Sequence, residues 1–172
     1  MPLLQRLIGR HDRRASLAPL YGAVVAVARD PFWYRAGGVP DSVQGRFDMV
    51  ASATALVLLR LEAEGEKGRE PAVLLTELFI DDMDASLREI GIGDYVVGKH
   101  VGRLMSALGG RLAAFRGAGG DGCISAVRRN IFHEAPPSDE ALAAVARRLE
   151  RLERALVKAP LEALLEGRIG SW

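Results

Sequence analysis

Three carboxylates stand close together at Asp81, Asp82 and Asp84, in the string LFIDDMDASLRE. Such clusters can hold a hard cation, because magnesium and calcium take several oxygen ligands. All-helical prenyl-transferring enzymes use two facing aspartate-rich segments to hold magnesium and a diphosphate. This chain has one. At helical spacing Asp81, Asp84 and Arg88 share a face, with Glu77 beside them. Asp84 precedes Arg88 by four residues, the favourable order for an ion pair. The cluster therefore reads as a solvated or partner-facing acidic face. Asp82, nearer the core boundary, is expected to bond a neighbouring helix.

The other reactive residue types form no constellation. His11, His100 and His133 lack a second histidine or a cysteine at ligand spacing. His100 lies near a helix start, where positive charge is disfavoured, so a neutral structural histidine is expected. The single cysteine, Cys123, excludes an internal disulfide and a cysteine metal cluster and reads as a small buried residue. No strand leads into the glycines and no Gly-Lys-Ser/Thr follows them, so there is no phosphate loop. Arg128-Arg129 and Arg147-Arg148 are short basic pairs, Glu150 and Arg154 allow internal pairing, and the net charge is +1. No catalytic residue, metal ligand set, cofactor site or specific nucleic-acid interface is expected.

These residues must be positioned by helices. The chain has 172 residues, 49% hydrophobic and 26% charged, which suits one domain with a full core. No apolar run approaches the roughly 20 residues of a bilayer span. Residues 1–15 form a basic amphipathic segment, expected to dock on its own domain, with an interfacial membrane helix as the alternative. A helical domain follows over 16–172. Its first helix is expected over Leu17–Arg29, capped by Ser16 and ended by Asp30-Pro31. Phe32, Trp33 and Tyr34 then sit in a connector. A second helix, about Ser42–Glu64, is capped by Asp41 and is apolar nearly all round, which makes it central. Pro71 opens a third, ended by Gly91-Ile92-Gly93. Asp94 caps a fourth that reaches about Phe115. A fifth spans Ile124–His133. Ser138 caps a sixth over Asp139–Lys158, whose leucines keep a spacing of about 3.5 residues. A short turn, Leu161–Leu165, precedes the tail. The expected fold is an all-α, single-domain bundle of about six helices.

The fourth helix carries an unusual feature. Gly98, Gly102, Ser106, Gly110 and Ala113 step by three or four residues, a small-residue stripe beside the apolar one. Each interior glycine costs roughly 1 kcal/mol relative to alanine. Close packing of another helix of the same domain would offset that and is the preferred expectation. The alternative is a groove that receives a helix from a partner.

Two long strings carry a family resemblance: YGAVVAVARDPFWYRAGGVPDSVQGRFDMV (Tyr21 to Val50) and LFIDDMDASLREIGIGDYVVGK (Leu78 to Lys99), with GRLAAF (Gly110 to Phe115) as a weaker third. They resemble the ubiquinol–cytochrome c chaperones of alphaproteobacteria and mitochondria. The resemblance implies a helical assembly chaperone, not an enzyme, that binds newly made cytochrome b and promotes biogenesis of the ubiquinol–cytochrome c reductase. It implies residence in the bacterial cytoplasm, peripheral to the inner membrane, or on the matrix side for mitochondrial relatives. Mitochondrial relatives act with a small partner near the ribosomal exit, so a co-chaperone or the ribosome are the further partners implied. Positions matching the family are Tyr34, Asp41, Arg46 and Asp48 around the first connector. Around the second they are Asp81, Asp84, Arg88, Asp94, Lys99 and Arg103. A client surface built from these, from Trp33 and Tyr34 as exposed aromatics, and from Gly98, Gly102 and Ser106 is expected. The competing readings are a helical scaffold unrelated to respiration and a magnesium-dependent enzyme of isoprenoid or quinone metabolism.

Overall fold

The computed structural model describes the backbone of residues 2–89 and 97–172, and the side chains of 13–86, 88–89 and 101–172. Among these residues there are helices and no strands. Six helices are long: α1 (Pro2–Ala28), α3 (Val43–Glu62), α4 (Glu66–Glu89), α5 (Val97–Phe115), α6 (Asp121–Asn130) and α7 (Asp139–Lys158). Two are short, α2 (Pro31–Arg35) and α8 (Leu161–Leu165). The expected caps at Asp94 and the stop at Gly91–Gly93 lie outside the described residues.

Helix α3 is the axis of the bundle. Every residue from Asp48 to Leu58 is buried, and α1, α4, α5 and α7 pack around it. The near-continuous apolar run of its sequence produces this, since a helix apolar all round must be covered on all sides. Its cap is Ser42, whose Oγ accepts the Gly45 N–H at 3.1 Å. Asp41, the expected cap, instead accepts from Arg46 Nε at 2.7 Å.

Helix α1 runs through Pro19 and through Ser16, where a start was expected. Ser16 Oγ donates to the Arg13 carbonyl at 2.7 Å rather than capping. Pro19 removes one backbone bond, but α1 lies along both α3 and α4. Its upstream turn is tied to α4 by Arg13–Glu70 at 2.9 Å and by Arg14–Asp81. Likewise α4 begins at Glu66 and carries Pro71 inside its second turn.

The aromatic connector folds into α2. Asp30 caps it, accepting the Phe32 N–H at 2.8 Å. Trp33 is fully buried, with Nε1 donating to the Val27 carbonyl at 2.7 Å. At the far end Trp172 stacks on Trp33, centroids 5.8 Å apart. The Arg148 guanidinium lies 4.5 Å from the Phe32 and Trp172 centroids and pairs with Asp30 at 2.9 Å. Gly167, at φ +80, turns the chain after α8 so closely over α1 that a Cβ would lie 2.6 Å from the Pro19 carbonyl oxygen. No helix among the described residues is long and apolar enough to cross a membrane.

Candidate functional site

A groove of about 450 Å³ opens where α1, α2, α3, α4 and α5 meet. Its apolar floor is Val25, Phe47, Val50, Met83 and Leu104. Arg29, Arg46 and Arg103 stand on its rim with Asp82 and Glu89, so cations outnumber acids. Val43, 54% exposed, marks the mouth. Two phenols fix the walls. Tyr21 donates to Asp82 Oδ2 at 2.7 Å, locking α1 to α4. Burial first, and then Asp82, push the Tyr21 hydroxyl well above the usual phenol range. Tyr34 donates to the Ala28 carbonyl at 2.8 Å, and burial raises its pKa too. Arg46 is held by Asp41, whose carboxyl it keeps below the ordinary value.

Beneath the floor lies a buried ionic cluster. Arg111 Nη2 donates to Asp48 Oδ1 at 2.5 Å and to the Asn130 carbonyl at 2.7 Å, and Nη1 donates to the Ala107 carbonyl at 3.0 Å. His133 Nε2 meets Asp48 Oδ2 at 2.8 Å. From the groove side, Gln44 Nε2 donates to Asp48 Oδ1 at 3.0 Å. Asp48 is fully buried and Arg111 is 5% exposed. Burial therefore pushes the carboxyl up and the guanidinium down from their ordinary values. Arg111 and His133 oppose that upward push on the carboxyl, and the guanidinium stays charged because it starts so high. The Arg111 guanidinium also sits 5.5 Å from the Phe47 ring centroid, which seats the aromatic of the floor. His133 reaches Asp48 from left-handed backbone, φ +48, followed by Glu134 at φ +67. Such conformations cost about 1 kcal/mol or more for non-glycine residues.

The expected site residues divide. Tyr34, Arg46 and Arg103 line the groove together. Trp33 is not an exposed aromatic: it is core, because its indole N–H satisfies a buried carbonyl and its ring is covered by Trp172 and Arg148. Asp48 is not a surface contact either, since Arg111 draws it inward. Asp81, Asp84 and Arg88 lie on the opposite face of α4 and do not reach the groove. There Asp84 pairs with Arg88 at 2.8 Å in the expected i,i+4 geometry and Asp81 with Arg14. The three aspartates thus serve three different partners, and Asp82 alone faces the groove, bonded to the neighbouring helix α1 as expected. Gly98 and Lys99 lie outside the residues whose side chains are described, as does His100.

The small-residue stripe overturns the preferred expectation. Gly102, Ser106, Gly109 and Gly110 are exposed. A Cβ on any of the three glycines would meet nothing within 4 Å. Among the described residues no helix packs there, and Met105, 45% exposed, lies on the same outward face. The groove floor is not legible in the sequence because Val50, Met83 and Leu104 are core residues, with Phe47 packed against them, and apolar periodicity does not tell which core residues also border a groove. Cys123 is buried against the Ala146 carbonyl, and burial pushes its thiol up to about 12, as an inert packing residue requires.

The family model described as "Ubiquinol-cytochrome C chaperone" matches residues 35–172, which include most of the groove and the whole ionic cluster. The chain belongs to the ubiquinol–cytochrome c chaperone family. Its fold agrees: the crystal structure of the Cbp3 homolog from Brucella abortus superposes with a TM-score of 0.78 at 27% identity, over 98% of this chain and 96% of that one. No curated protein sequence matches it. Membership assigns this all-helical chain to the assembly chaperones of the ubiquinol–cytochrome c reductase.

Proposed function

We propose that the chain binds newly made cytochrome b, laying an apolar helical segment of the client in the groove and against the glycine face of α5 beside it. One observation carries the reading: an apolar floor, rimmed by Arg29, Arg46 and Arg103, is walled by a helix, α5, whose outward glycines meet nothing among the described residues. Binding surfaces join an apolar centre to a polar rim. Glycines let a second backbone approach closely, which gives the exposed glycines of α5 a purpose that packing within the chain does not. The groove holds no convergent set of catalytic groups. The same reading puts the chain in the bacterial cytoplasm, next to the membrane that the client enters. A co-chaperone or a ribosome would then engage surfaces other than the groove.

The test is capture of cytochrome b by tagged protein in the native host. Val43→Arg and Ala107→Trp obstruct the groove mouth and wall. Either is expected to reduce capture about tenfold or more, since central contacts carry most interface energy, while circular dichroism shows a folded chain. Wild-type capture by both folded variants overturns the reading.

A further inference from the structure

Helix α7 separates its residues by face. Inward, Leu142, Val145, Leu149, Leu152 and Leu156 are buried. Outward stand Arg147, Arg151, Arg154 and Lys158, at steps of four, three and four, all exposed. At 100° per residue the four fall within about 60° of one another, along a line of about 16 Å. None has an ion-pair partner among the described residues. Their neighbour Arg148, by contrast, is committed to Asp30 at 2.9 Å. The acids of α7 are occupied or turned aside. Glu150 accepts the Gly120 N–H at 2.8 Å, Asp139 pairs with Arg128, and Glu153, within electrostatic reach of Arg154, lines a separate cleft with Arg60, Arg116 and Val157. Glu140 belongs to the first turn, nearly two turns before Arg147.

Three of these cations converge. Arg151, Arg154 and Lys158, with Ala155, Ser171 and Trp172, line a shallow hollow of about 380 Å³. One wall is therefore the partly buried Trp172, and Val157, 65% exposed, flanks the cationic line.

We infer that this face of α7 docks on the surface of an anionic phospholipid bilayer, with a headgroup phosphate in the hollow among Arg151, Arg154 and Lys158. A basic line flanked by apolar groups is what an interfacial surface takes: phosphates meet the cations, and Val157 on one side and the edge of Trp172 on the other reach the acyl boundary. A nucleic-acid backbone would use the cations but not Val157. The Trp172 ring is engaged by Trp33 and Arg148 and is no platform for a stacked base. The inference deepens the reading above, since a chaperone of a membrane subunit must meet its client at a bilayer, but vesicle binding needs no client and client capture needs no vesicle. Failure of one is therefore distinct from failure of the other.

The experiment is co-flotation of the full chain with vesicles of phosphatidylcholine mixed with phosphatidylglycerol, against vesicles of phosphatidylcholine alone. Binding is expected only to the anionic vesicles and is expected to fall with added salt. The triple variant Arg151→Gln, Arg154→Gln, Lys158→Gln removes three cations worth about fivefold each, so partitioning should fall about 100-fold. A control variant, Arg6→Gln with Arg10→Gln, separates the basic N-terminal segment. Equal binding to both vesicle types overturns the inference. So does a folded triple variant that binds like wild type, or loss of binding in the N-terminal variant alone. Binding of a single-stranded RNA oligonucleotide in place of vesicles would assign the face to nucleic acid instead.

Discussion

Replacing Asp48 by alanine tests the ionic cluster beneath the groove. The change leaves the Arg111 guanidinium buried without its counter-charge. Breaking a buried pair from one side costs about 3–5 kcal/mol. Arg111 keeps two carbonyl acceptors, Ala107 and Asn130, while its Nε has no hydrogen-bond partner. His133 also loses its partner, but its side chain is 55% exposed and water replaces the carboxylate. The lower part of the range, about 3 kcal/mol, is therefore expected. In a chain of this size each kcal/mol moves the thermal midpoint by about 2–4 °C, so Asp48→Ala should lower it by about 6–12 °C. Circular dichroism at 222 nm and urea titration read both quantities. The double variant Asp48→Ala, Arg111→Met removes the stranded charge and should regain most of the loss, because apolar replacements of a buried pair are often neutral. A single variant within about 0.5 kcal/mol of wild type would refute the reasoning. So would a double variant no more stable than the single.

Other outcomes follow from the same geometry. Gly102→Ala and Gly110→Ala should each raise stability by about 0.5–1 kcal/mol in urea titration, because the added methyl meets open space and the helix gains propensity. The folded-state pKa of Tyr21 lies above its ordinary 10.0. Its contribution is thus full below the unfolded pKa and is lost as pH rises through the folded one. Alkaline unfolding should accordingly be less steep in Tyr21→Phe, which itself costs about 1 kcal/mol at neutral pH for the lost bond to Asp82. Arg148→Ala should cost about 1–2 kcal/mol through its lost ring contacts and shift tryptophan emission to the red, since Trp33 and Trp172 both border it. Cys123, with its thiol raised to about 12, should resist Ellman's reagent in the folded chain and react fully in denaturant.

The sequence by itself determined the helical class, the central place of α3, the extent and cap of α7, the Asp84–Arg88 pair and the family. Each rests on local chemistry: a repeating apolar period, a side chain that caps its own helix, charges four residues apart, or a long string of residues in fixed order. The tertiary structure decided what periodicity leaves open, namely which neighbour covers each apolar face. Leu104 is core and Phe47 is packed against it, as their spacing implies, yet both also line a groove that the spacing does not disclose. Gly102 and Gly110 read as a packing seam, yet no helix among the described residues comes to them. Trp33 became core only when Trp172 and Arg148 arrived from the far end of the chain. Asp48 found its partners 63 and 85 residues away, at Arg111 and His133. No local pattern encodes such a pair, because it forms only when desolvation on folding leaves each charge without water and with the other as its replacement.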